Sequence, residues 1–208
     1  MVSSRPIDQR RRFKWRGALG VVLLTPAVLV AVVTNPLVRP HSWLAVAIDA
    51  LAWGIFVAGA GLRFWATLYI GGHKNDEVVA DGPYSLCRHP LYLGSVLLVL
   101  SGALFLKSLL CALALALLAA AYVMFTVPAE EDYLTARLGE PHRRYRERVN
   151  LLWPSFRHFR TDARITVDVH SLYVEWARAS RWLWLPLLGE VIGQLREAPW
   201  WPRLFNMP

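Results

Sequence analysis

Stretches without charge alternate with crowded charge along this chain. Lys, Arg, Asp and Glu are nearly absent from residues 17–38, 43–62, 91–106 and 108–129, and concentrated elsewhere. Each stretch approaches the ~20 apolar residues that a helix needs to cross a bilayer. The pattern predicts an all-α integral membrane protein with about four transmembrane helices, a cytoplasmic cofactor-binding region and a C-terminal amphipathic helical tail. The first stretch follows a basic segment, as a signal peptide would. It runs on into TNPLVRP with no small-x-small cleavage pattern, and further spans follow, so a retained helix is expected.

Finer features divide these spans. Pro26 predicts a kink in the first, and the prolines of TNPLVRPHS predict a short turn after it. The second span carries Gly54, Gly59 and Gly61, small surfaces that admit a neighbouring helix closely, and keeps an apolar face to about Ile70. Only LKS separates the third span from the fourth, which predicts a tight hairpin. AEEDYLTARLG then reads as a helix ended by Gly139, and Pro141 starts a second, basic one. Three parts are expected: a basic cytoplasmic arm over 1–16, a membrane domain over 17–160, and a Trp-rich tail over 161–208. In the tail, Leu172, Tyr173, Trp176, Ser180, Leu183, Trp184 and Leu187 follow helical spacing. That stripe suits a helix lying in the membrane interface and equally one packed over a cytoplasmic site.

Charge changes the picture by its placement. The net charge of +8 would allow a nucleic-acid partner. However, only Arg39 and Lys107 fall in the loops on one side of the spans, with Arg63 inside a span. All the other basic residues fall on the opposite side. This is the positive-inside pattern, with both termini cytoplasmic, in a bacterial inner membrane or an endoplasmic reticulum. The basic excess then serves orientation and contact with the lipid bilayer, and no nucleic acid is expected. Cys87 and Cys111, and the His at 41, 73, 89, 142, 158 and 170, show no ligand spacing, so no metal is expected.

The chemistry gathers in VVADGPYSLCRHPLYLG, residues 78–94. Pro90 suits the first position of a helix and pushes His89 into the cap. The N–H groups of Leu91, Tyr92 and Leu93 would then face the loop as an anion site, with Arg88 adding a fork for a carboxylate or phosphate. The turn at DGPY brings Tyr84 towards the same place. Because the third and fourth spans form a hairpin, Glu130 and Glu131 should lie close by, giving acidic and anion-binding groups suited to a zwitterionic amino-acid moiety. Taken singly these residues read more plainly: Arg88 as an anchor, Tyr92 as an interfacial aromatic, the Glu pair as carboxylates at a helix start. Arg63 must pair or snorkel, and facing the same site is one option.

VVADGPYSLCRHPLYLG followed by EEDYLTARLGEPHRRYRERV resembles the isoprenylcysteine carboxyl methyltransferase and phospholipid methyltransferase superfamily over roughly residues 55–155. The resemblance implies an integral membrane enzyme that uses S-adenosylmethionine without a Rossmann domain. By position it implies cofactor contacts from Asp76, Glu77, Val78 and Val79, from Tyr84, from His89, Pro90, Leu91 and Tyr92, and from Glu130. Methyl transfer needs no nucleophilic side chain, since alignment and exclusion of water suffice. Arg88 and Glu131 are the candidates for a catalytic role, and Thr126 and Arg63 for substrate contact. Thr126 stands where the isoprenylcysteine enzymes carry an Arg for the substrate carboxylate, and His142 replaces the first Tyr of a YxxY pair. The expected acceptor is a lipophilic or membrane-permeant lipid amine, thiol or carboxylate. Two alternatives stay open: an NADPH-dependent membrane reductase of the sterol-reductase type, and a non-catalytic lipid-binding protein.

Overall fold

A computed structural model describes residues 25–26, 28–34, 36–72, 77–121, 124 and 126–201. The basic arm and the start of the first expected span lie outside these residues. Every regular element among the described residues is helical.

Helix α1 (Trp43–Ile70) begins where Ser42 accepts a hydrogen bond from the Ala45 N–H. Its 28 residues reach ~42 Å, and among the described residues it alone is long and apolar enough to cross a membrane by itself. A turn of helix, α2 (Pro83–Leu86), precedes α3 (Pro90–Leu106). Lys107 adopts φ +48°, turning the chain sharply into α4 (Leu109–Ala121) as the expected hairpin. Helix α5 (Val127–Leu138) follows α4 and carries Pro128 in its first turn. Gly139, at φ +67°, ends α5 and admits α6 (Glu140–Arg148).

Helices α1 and α3 form the central pair. A Cβ on Gly94 would stand 2.6 Å from Arg63 Cγ and 2.9 Å from the Gly59 carbonyl oxygen, so both glycines are needed for this approach. Of the three glycines expected to receive a neighbour, only Gly59 meets one among the described residues; none of these lies within 4 Å of a Cβ on Gly54 or Gly61. Ala52, Phe56, Leu98 and Phe105 fill the seam, with Trp182 packed on them.

The tail departs from both expected placements. It forms α7 (Val169–Trp182) and α8 (Trp184–Glu197), which pack along α1 and α3. Asp168 and Ser171 lie against Gly71, Glu175 pairs with Arg63, Leu185 meets Gly102, and Gly189 meets Phe105. Arg196 donates to the Leu106 carbonyl, Glu197 nears His41, and the Trp201 indole donates to the Val32 carbonyl. The tail therefore runs the full length of the central pair. Its apolar stripe faces outwards: Tyr173, Trp176, Leu183, Trp184 and Leu187 are exposed, while Glu175 is buried. Large apolar residues also stand outwards on α1 (Val46, Leu51, Val57) and α4 (Leu113, Leu117). Outward apolar and inward polar is the inverse of a soluble helix and suits a lipid surround.

Candidate active site

The site lies at the Gly71 end of the central pair. His89 takes the cap position of α3 with φ −125° and ψ 61°, and Pro90 begins the helix, as the local sequence dictates. The chain before it is held by a returning segment: Arg88 N–H donates to the Asn150 carbonyl at 2.8 Å, and Ser155 N–H to the Leu86 carbonyl at 3.0 Å. Gly82, at φ +57°, turns the loop beneath Tyr69, whose ring leaves no room for a Cβ. The Tyr145 hydroxyl, on α6, donates to the Tyr84 carbonyl at 2.8 Å and ties α2 to α6.

Glu131 is the centre of the charge network. It is 2% exposed and accepts from Arg88 Nη1, with His89 Nε2 at 2.8 Å and Arg146 Nε at 2.8 Å. Burial pushes its carboxyl upwards, but the His89 hydrogen bond and the charges of Arg88, His89 and Arg146 outweigh this and hold it below the usual range. Beside it, the Tyr92 hydroxyl donates to Glu130, and the His89 and Tyr92 rings stack with centroids 5.3 Å apart. Thr135 Oγ1 donates to the Glu131 carbonyl and meets His142 Nδ1 at 2.9 Å. Burial first, with help from Arg146 and Arg88 against Glu131, keeps His142 below its ordinary value. Burial also raises the Tyr84 and Tyr145 phenols and pushes the Cys87 thiol up to about 11.

These residues enclose a cavity of about 120 Å³. Glu77, Val78, Val79, Tyr84, Arg88, His89, Pro90, Leu91, Tyr92, Glu130 and Glu131 all line it. Asp76 lies outside the described residues. Thr126 and Arg63 do not line the cavity: Thr126 is buried at the start of α5, and Arg63 is committed to Glu175, with Nε–Oε1 at 2.6 Å and Nη2–Oε2 at 3.0 Å. Ile70, Leu134, Leu138, His142 and Tyr145 complete the wall. The helix expected over AEEDYLTARLG carries Leu134 and Leu138, and the basic helix expected after it carries His142 and Tyr145.

The anion side differs from expectation. The N–H groups of Tyr92 and Leu93 donate to the His89 carbonyl, which leaves the Leu91 N–H as the helix-start donor at the cavity. Arg88 gives one nitrogen to Glu131 while its Nε–H is buried without a partner, as is the Tyr84 hydroxyl. Unpartnered buried donors beside a cavity are costly unless a ligand satisfies them. The wall thus offers donors for a carboxylate at Arg88 and Leu91, a carboxylate for a cation at Glu130, and apolar surface between. That set fits a zwitterion bearing an apolar or aromatic body, and S-adenosylmethionine is such a molecule.

Residues 44–140 match the phospholipid methyltransferase family. The chain is also 22% identical over 138 residues to protein-S-isoprenylcysteine O-methyltransferase B of Arabidopsis thaliana, covering 64% of this chain and 70% of that one. By these two likenesses the chain resembles the isoprenylcysteine carboxyl methyltransferase and phospholipid methyltransferase superfamily, as the sequence motifs led one to expect. Two bacterial proteins are similar over longer stretches. The nickel-cobalt-cadmium resistance protein NccN of Alcaligenes xylosoxydans xylosoxydans is 29% identical over 205 residues, 98% of this chain and 94% of that one. The cobalt-zinc-cadmium resistance protein CzcN of Cupriavidus metallidurans is 32% identical over 145 residues, 70% and 66% respectively. No solved structure matches. The phospholipid methyltransferase match runs from the first turn of α1 to the start of α6, and so holds every cavity residue except His142 and Tyr145.

Proposed function

We propose that this membrane-associated methyltransferase-type protein uses S-adenosylmethionine to methylate a lipophilic acceptor that reaches the site from the bilayer at the cytoplasmic face. The observation that carries the reading is the juxtaposition of Glu130 with two unpartnered buried donors, Arg88 Nε–H and Tyr84 O–H, at one cavity. Bound S-adenosylmethionine would supply an electrophilic methyl group. The chain's part is to hold and align. Glu130 takes an ammonium, Arg88 and the Leu91 N–H take a carboxylate, and the Tyr92 ring, fixed by Glu130 and His89, offers a face to a cation. Pockets for drug-sized ligands start at ~300 Å³, so seating the cofactor requires the extended wall at 77–79 to move outwards. Return of that wall over the bound ligand would exclude water.

The positive-inside pattern supports reading this end of the molecule as cytoplasmic. The tail then runs beside the central pair as a further crossing, which carries Trp201 to the far side. A reporter fused after Trp201 that is active only in the cytoplasm would sink this topology. NccN and CzcN are resistance proteins for nickel, cobalt, zinc and cadmium by name, and by that likeness we place the methyl transfer in a metal-resistance setting, acting on a membrane constituent. Among the described residues no three His, Cys, Asp or Glu side chains group to hold a metal ion. The test of function is calorimetry of the purified protein with S-adenosylmethionine and, separately, NADPH. Binding of the first that weakens in Glu130→Ala and His89→Ala supports the proposal. Binding of NADPH alone favours a reductase, and binding of neither overturns both.

A further inference from the structure

The segment after α6 makes a second site, outside the cavity. Residues 150–160 return along 82–89: the Gly82 N–H donates to the Arg160 carbonyl at 2.8 Å, and Ser85 Oγ donates to the same oxygen at 3.2 Å. This pairing leaves a groove of about 240 Å³ lined by Ser85, Arg148, Asn150, Ser155, Arg157 and His158. A recess of about 160 Å³ shares Ser85, Arg148 and His158 with it and adds Arg160. Neither lining contains an Asp or Glu. Arg160 is partly neutralised by Asp81 at 2.6 Å, so Arg148 and Arg157 dominate the potential.

The flank of this groove is apolar and outward. Trp153 is 82% exposed and Phe156 76%, large aromatics that water alone would not favour. Their depth is fixed by Phe159, whose ring lies 6.3 Å from Trp65 of α1. Trp65 stands just past Arg63, where the charge-free stretch of α1 ends, so the segment lies level with the membrane–water boundary. Aromatic side chains at that level beside a basic groove are the two halves of a headgroup site.

We propose that this groove seats the phosphate of an anionic membrane lipid, with Arg148, Arg157 and His158 around the phosphate and Trp153 and Phe156 set among the glycerol and acyl groups. The proposal rests on the reading that α1 spans the bilayer with this end cytoplasmic, and is independent of methyl transfer. The experiment uses the full chain in phosphatidylcholine nanodiscs doped with phosphatidylglycerol, with bound lipid counted by native mass spectrometry. The wild-type protein should retain phosphatidylglycerol preferentially. Arg148→Gln/Arg157→Gln should weaken this roughly five-fold per arginine, on the order of thirty-fold together. The control pair Arg143→Gln/Arg144→Gln, on the same helix but outside the groove, should not. If the groove pair fails to fold, Arg157→Gln alone, an exposed side chain in a short turn, carries the test. Equal loss in the control pair would overturn the proposal in favour of diffuse attraction. Displacement of the lipid by inorganic phosphate would overturn it in favour of a soluble phosphate compound. Calorimetry with S-adenosylmethionine on the same samples separates failure here from failure of the methyltransferase reading.

Discussion

Two buried glutamates flank the start of α3, and their settings differ instructively. Glu131 and Glu175 are each 2% exposed and each meets an arginine. Glu131 holds the chain just before the helix, through Arg88 and His89. Glu175 reaches the first turn from the other side, because Arg63 passes on to the Leu91 carbonyl at 3.2 Å and to Ser95 Oγ. Only Glu131 opens on a cavity with unpartnered donors. The Arg63–Glu175 pair is closed on itself, bidentate and capped by Arg178. Burial and pairing alone therefore do not mark a functional carboxylate; free space and unmet hydrogen-bonding capacity beside it do.

The comparison can be broken by mutation. Glu131→Ala is expected to have the largest effect. It leaves Arg88, His89 and Arg146 without their shared acceptor, which costs about 3–5 kcal/mol as for other broken buried pairs and abolishes cofactor binding. Thermal unfolding in detergent and calorimetry measure the two losses. Glu175→Leu should cost a similar ~3–5 kcal/mol by stranding Arg63. Arg63→Leu/Glu175→Leu should recover most of that stability and bind S-adenosylmethionine near the wild-type affinity. Arg88→Leu/Glu131→Leu should recover stability without binding. Identical behaviour of the two double variants would erase the distinction.

Glu130→Gln sharpens the contrast at smaller scale. Weakening one charge-assisted contact should lower cofactor affinity by about ten-fold, or ~1.4 kcal/mol, while the unfolding temperature hardly moves. A loss of stability equal to the Glu131 variants would make Glu130 structural instead.

The smallest effect is on pH dependence. His142 has a folded pKa below its ordinary 6.5, so the folded state takes up its proton less readily than the unfolded chain. Its contribution is complete above pH 6.5 and declines as the pH falls from there through the folded value. Glu131, lowered from 4.5, contributes fully above that pH and loses its contribution as the pH falls further. Unfolding midpoints of the wild-type protein and His142→Asn between pH 7 and pH 5 should converge on the acid side. Parallel curves would remove His142 from the account.

What the sequence made legible follows how far apart the partners are. Pro90, His89, Gly139 and the Lys107 turn act through their neighbours, and the local pattern located them. The approach of Glu130 to Tyr92 followed from the hairpin, since a short turn forces two helix ends together. Three features were not legible. Gly59 and not Gly54 or Gly61 meets a neighbour because the contacting face depends on how α1 is rotated. Arg63 finds Glu175 across 112 positions, a pairing no local spacing encodes. The tail stripe gave the helix and left its packing partner open, because apolar periodicity alone does not say whether the oily face meets protein or lipid.

The tight contact at Gly94 has a consequence for how this chain can change over generations. A side chain at position 94 would collide with Arg63, and Arg63 cannot leave without stranding Glu175. Three positions in three separate helices are thereby linked as one unit of inheritance: any one of them substituted alone is penalised, and coordinated replacement is the open path. Among descendants of this sequence, residues 63, 94 and 175 should be kept together or lost together, whatever happens to the acceptor that the site serves.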